Sequence, residues 1–154
     1  MATTKVTLDL DAIVSEVHIS APPERVFQAL VDPKQAMEWW RNETVTIENF
    51  NLEPKVGGRW GYQTNKLVDG ANKFEVHGEV IAYDPPRLLA YTWIANLHED
   101  PARPTEVRWE LTAVSGGTRV KLTHSGLAKE HKARSGYSGG WPDLLGRLKK
   151  FVEE

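Results

Sequence analysis

The chain of 154 residues has no cysteine, only two methionines and no strong excess of charge of either sign. Without thiols there can be no disulfide framework, thiolate zinc site or cysteine nucleophile, and the composition fits a reducing compartment. No stretch approaches the ~18 uninterrupted apolar residues of a membrane span. Met1 to Asp11 lacks the apolar segment of a secretory signal and carries two acids in its place. A soluble, cytoplasmic protein with no membrane span is the expectation. Nineteen Lys plus Arg against 21 Asp plus Glu give a net charge of −2, whereas a surface that tracks phosphates shows a clear basic excess. Nucleic acid is not an expected partner. Internal repeats, low-complexity tracts and linkers are also missing, so residues 1–154 read as one domain with its core over about 12–152.

What is abundant is tryptophan. The six indoles, at positions 39, 40, 60, 93, 109 and 141, supply large apolar area with one polar handle each. They point to an aromatic interior or to a pocket lined by one.

Periodicity gives the elements. Ile13 to Ile19 alternates as a half-buried strand, with His18 on its polar side. Pro22-Pro23-Glu24 opens a short helix, and Asp32-Pro33 both ends it and caps a second that runs to about Trp39. Strands then follow over 45–50, 59–63, 74–83, 87–94, 105–114 and 118–125, joined by Asp69-Gly70, Asp84-Pro85-Pro86 and Ser115-Gly116-Gly117. Trp141, Leu144, Leu145, Leu148, Phe151 and Val152 make one apolar helical stripe. Fourteen residues from Trp141 span ~21 Å. The pattern implies an α+β layer packing: an antiparallel meander against a C-terminal helix.

Several motifs carry no chemistry. Gly136-Tyr137-Ser138-Gly139-Gly140 matches G-x-S-x-G, but no His follows it and no apolar strand precedes it; a flexible loop is the expectation. The sequon Asn42-Glu43-Thr44 has no signal peptide to make it meaningful. The five histidines, 18, 77, 98, 124 and 131, show no metal-ligand spacing, so neither a metal nor a cofactor is expected. The charges around Lys129 to Arg134 and Arg147 to Lys150 alternate with acids and read as solvated helix faces.

His124 shares a strand face with Val120 and Leu122 and so points inward. A hairpin about Pro85-Pro86 sets Val80 opposite Tyr91 and Gly78 opposite Trp93, with Gly78 as a candidate bulge. Tyr91, Trp93, Trp109, His124 and Trp141 then share one interior face, and Trp60 joins them as a ligand-binding candidate; solid core and pocket both fit that set. A buried His satisfied by hydrogen bonds is the favoured reading of His124. It is also the one catalytic candidate, as an acid or base with Tyr91 as donor.

The stretches Ser20-Ala-Pro-Pro-Glu-Arg-Val-Phe27, Val56-Gly-Gly-Arg-Trp60, His77-Gly-Glu-Val80, Tyr83 to Trp93 and Leu122-Thr-His-Ser-Gly126, with Gly140-Trp141, resemble the SRPBCC (START and birch-pollen-allergen-like) superfamily. Within it they resemble the branch related to the C-terminal domain of the heat-shock protein ninety ATPase activator. The resemblance implies a helix-grip fold, a curved antiparallel sheet wrapped around a long C-terminal helix with two short helices after the first strand. It also implies an apolar or aromatic small molecule held between sheet and helix. A cyclase or hydrolase using His124, or a stress-response domain touching a chaperone ATPase, are the alternatives, and a homodimer is left open.

Overall fold

In the computed structural model, which describes residues 2–42, 44–67 and 72–154, the elements run in the order anticipated, with one addition. They are β1 (Thr3–Val6), β2 (Ile13–Ile19), α1 (Pro23–Val31), α2 (Pro33–Trp40), β3 (Ile47–Leu52), β4 (Arg59–Leu67), β5 (Lys73–Asp84), β6 (Leu88–Ala95), β7 (Thr105–Val114), β8 (Gly117–Ser125) and α3 (His131–Glu153). The addition is β1, an edge strand whose four side chains are all exposed. A strand with no buried face leaves no apolar alternation to read. The Asp69-Gly70 turn and Glu43 of the sequon lie outside the described residues.

All neighbouring strands are antiparallel, in the order β1-β2-β8-β7-β6-β5-β4-β3. Register irregularities fall between Glu48 and Asn51, Gln63 and Leu67, and Val80 and Ala82. Each extra residue bends its strand and increases local twist, which curls the sheet around α3. Gly78 is not the bulge; its role is close approach. A Cβ there would lie 1.9 Å from the Thr92 carbonyl oxygen, the same oxygen that accepts the Trp60 indole N–H at 2.8 Å.

Local chemistry sets the short helices. Asp32 accepts from the backbone N–H of Lys34 at 3.0 Å and Pro33 occupies the first turn, so α2 is capped where α1 ends. Its Trp39 donates to the Ala29 carbonyl at 2.9 Å, tying the two helices together.

The C-terminal helix departs most from expectation. It begins at His131, ten residues before Trp141, and takes in the glycine-rich stretch read as a loop. Gly136, Gly139 and Gly140 disfavour a helix by ~1 kcal/mol each relative to Ala, so tertiary contacts must hold this half. Arg134 donates to the carbonyls of Leu10, Leu127 and Ala128. The fully buried Glu130, just before the helix, accepts from the backbone N–H groups of Glu99 and Asp100 and from Arg103 at 2.8 Å. Glu130 is therefore an internal clamp on the 96–104 loop, not part of a solvated face.

The expected apolar stripe docks. Trp141, Leu144, Leu145, Leu148 and Val152 are buried and join one hydrophobic cluster with the inner face of the sheet. Phe151 is half-buried, with the Arg25 guanidinium 5.4 Å from its ring centroid.

Candidate functional site

Strand pairing puts His124 directly between Ile13 of β2 and Val107 of β7, and it is fully buried. Its two ring nitrogens have different partners. The Trp141 indole N–H, which can only donate, reaches Nδ1 at 3.1 Å. Nδ1 must therefore be the bare acceptor. The Thr105 hydroxyl donates to the Trp93 carbonyl at 2.8 Å, and the same oxygen lies 2.8 Å from His124 Nε2. With the hydroxyl proton committed, Nε2 carries the hydrogen and donates to Thr105. The ring is thus a neutral tautomer fixed from both sides, joining β6, β7, β8 and α3. Burial, reinforced by repulsion from His98, pushes its pKa well below the ordinary histidine value.

Two further indoles donate to tyrosine hydroxyls. Trp109 donates to the Tyr91 hydroxyl at 2.9 Å, and Tyr91 stacks on Trp60 with centroids 4.0 Å apart. Trp93 donates to the Tyr137 hydroxyl at 2.9 Å, which also lies 2.7 Å from His98 Nε2. Burial raises the pKa of Tyr62, Tyr91 and Tyr137, so these hydroxyls stay protonated and neutral.

Of the six residues named from sequence as ligand-binding, Trp60, Tyr91, Trp109 and His124 pack as filled core behind the sheet's inner face. Trp93 and Trp141 do more. They line a cleft of about 130 Å³ between α3 and the sheet, together with Trp40, Tyr62, Phe74 and Tyr137. One stripe of α3 forms its other wall: Tyr137, Gly140, Leu144 and Arg147, spaced 3, 4 and 3 residues apart and so on one helical face. A second cleft of about 240 Å³ shares Trp40, Tyr62, Phe74 and Arg147 with it and continues past Val45, Ile47 and Thr64. A wider depression of about 970 Å³ between α2 and the end of α3 is an open groove of mixed charge, with Glu38, Arg41, Asp143 and Lys150 on its walls. It lacks the enclosing aromatic walls of a ligand site.

Sequence reasoning missed Tyr137 and Arg147. Tyr137 stands four residues before Trp141, so the signal was present, but three nearby glycines hid the helix that makes the spacing meaningful. Arg147 sat in a run of alternating charges; in the fold it is half-buried, donates to the Trp40 carbonyl at 3.2 Å and lies 3.4 Å from Asp143. Lys149 likewise is tied down, to the His18 carbonyl at 2.9 Å. Trp39, Trp40 and Trp60, weighed as rim or dimer contacts, are all buried.

Among the described residues no group of three or more His, Cys, Asp or Glu is placed to hold a metal ion, and no helix is long and apolar enough to cross a membrane.

A curved antiparallel sheet gripping a long C-terminal helix, with two short helices between β2 and β3, defines the helix-grip class of the SRPBCC superfamily. The family described as "Activator of Hsp90 ATPase homolog 1-like protein" matches residues 20–153, and the chain belongs to that family. A Mesorhizobium loti protein of known structure is 30% identical, with a TM-score of 0.71 over 92% of this chain and 96% of its own. The fold is shared with a Rhodobacter sphaeroides protein at 19% identity, TM-score 0.81, over 99% and 97% of the two chains. It is shared too with a Chromobacterium violaceum protein at 23% identity, TM-score 0.78, over 94% and 99%. A search of curated proteins returned no match.

Proposed function

We propose that this protein is a binding module that holds a small apolar or aromatic molecule in the cleft between α3 and strands β4 to β6. The observation that carries the reading is the cleft itself, in which Trp40, Tyr62, Phe74 and Trp93 line one side and α3 supplies Tyr137, Gly140, Trp141 and Leu144 on the other. Its size selects the ligand. Drug-sized ligands occupy roughly 300–1,000 Å³ and a cavity of roughly 150 Å³ accepts a benzene ring, so about 130 Å³ suits one aromatic ring, with the adjoining cleft open to a substituent. His124 acts in this reading as a structural tie for Trp141 and Thr105. No cyclase or hydrolase step is assigned to it, because both ring nitrogens are occupied and the ring is closed to water.

Gly140 supplies the test. A Cβ added there meets nothing within 4 Å, so Gly140→Leu attaches an apolar side chain at the cleft wall with room for its first carbon and replaces a poor helix former. Calorimetric titration of the wild type with neutral 3-phenylpropionamide should saturate with a Kd below about 1 mM, a binding free energy beyond ~4 kcal/mol. The variant should melt no lower than the wild type and bind at least about tenfold more weakly, a difference of ~1.4 kcal/mol. Equal binding by both proteins would place the ligand elsewhere.

A further inference from the structure

We infer that the ligand carries a single carboxylate, and that Arg147 is the residue that receives it. The inference rests on the cleft reading above and adds the chemistry of the ligand's polar end. Arg147 lines both aromatic clefts and is the only charged residue to do so among the described residues. It stands where the two join, with Trp40, Tyr62 and Phe74 common to both.

Its guanidinium is under-satisfied. Of five N–H donors, one reaches the Trp40 carbonyl at 3.2 Å and another faces the largely exposed Asp143 carboxylate across 3.4 Å. Both distances are at or beyond the long end of the ordinary N–H···O range. Nε is buried with no hydrogen-bond partner. Burial lowers the pKa of the group, with the Asp143 carboxylate acting against it. Such a cation gains from a second anion brought into contact with it, and a charge-assisted bond to a guanidinium is among the stronger polar contacts a protein makes.

The anion's class follows from what surrounds it. One planar fork with no second cation on the cleft walls matches a monoanionic, planar carboxylate; a phosphate dianion would meet only half the charge it needs. The aromatic walls on either side match a ring placed a short chain away. The occupant is thus an aryl- or arylalkyl-carboxylic acid, seated ring-inward with its acid at the mouth.

Two ligands of one shape test this: 3-phenylpropionate and 3-phenylpropionamide, titrated calorimetrically into wild type, Arg147→Gln and Asp143→Asn. The acid should bind the wild type roughly tenfold to a hundredfold more tightly than the amide, and Arg147→Gln should remove that preference, so that acid and amide bind the variant alike. Asp143→Asn, a change at an exposed side chain that frees the guanidinium from its own anion, should tighten the acid alone. If the amide binds and the acid gains nothing over it, the carboxylate assignment fails and the cleft reading stands. If neither ligand binds the wild type, both fail. An acid preference that survives in a folded Arg147→Gln assigns the anion to another group and overturns the inference.

Discussion

Leu148→Ala or Leu145→Ala is expected to destabilise the protein by ~2 to 5 kcal/mol, whereas Lys150→Ala, on the solvent side of the same helix, should stay within ~0.5 kcal/mol. Both leucines are fully buried, in the stripe that fills the concave face of the sheet. Removing either leaves a cavity that a close-packed aromatic interior cannot easily collapse into. Because this helix also forms one wall of the proposed site, the same substitutions should weaken ligand binding without any contact to the ligand. Chemical denaturation checks the order. Equal losses at all three positions would mean that α3 does not dock by the face seen here.

The second large effect is expected at His124. Its folded-state pKa lies well below the unfolded value of ~6.5. Above that value both states hold a neutral ring and stability is at its full level. As pH falls through ~6.5 the unfolded chain takes up a proton that the native state refuses, so stability declines with a limiting slope of ~1.4 kcal/mol per pH unit. His98, buried beside Tyr137 and also shifted down mainly by burial, contributes with the same sign. Denaturation at pH 7.5 and pH 5.5 should therefore show a loss of stability at the lower pH, and His124→Gln should show a smaller one. At pH 7.5 the variant should already be weaker by on the order of 3 kcal/mol, since the Trp141 N–H loses its ring acceptor and a packed ring is gone. A variant with unchanged stability and an unchanged pH slope would mean that the ring is not held as described.

Most of this architecture was legible because the strands with a buried face alternate cleanly. The hairpin of β7 and β8 reads directly from Val107, Trp109, Leu111, Val120, Leu122 and His124, all buried. The pairing of Val80 with Tyr91 is found as expected. Elements without an apolar face were not legible. β1 buries nothing, and the first half of α3 is held by Glu130, Arg134 and Tyr137 through contacts with residues far away in sequence. No local propensity reports such contacts.

The interior was only half legible for a related reason. Inward strand parity identifies Tyr91, Trp93, Trp109 and His124 as one set, joined by Trp141 from the helical stripe, but whether a ring fills space or borders it depends on what faces it. Tyr91 and Trp60 face each other and close the space. Trp93 of the sheet and Trp141 of the helix border a cleft that Gly140, having no side chain, leaves open. Arg147 was hidden by its charge, which normally marks solvent; here the side chain is half-buried and lines the aromatic cleft.

The claim that α3 and the sheet enclose a ligand site is tested most directly by the indole N–H signals in an NMR titration with 3-phenylpropionate. Trp40, Trp93 and Trp141 border the cleft, while Trp39 and Trp109 lie outside it. The account predicts saturable shifts at the first three, with Trp39 and Trp109 nearly unmoved. Shifts spread evenly over all the indoles, or confined to Trp39 and Trp109, would contradict it.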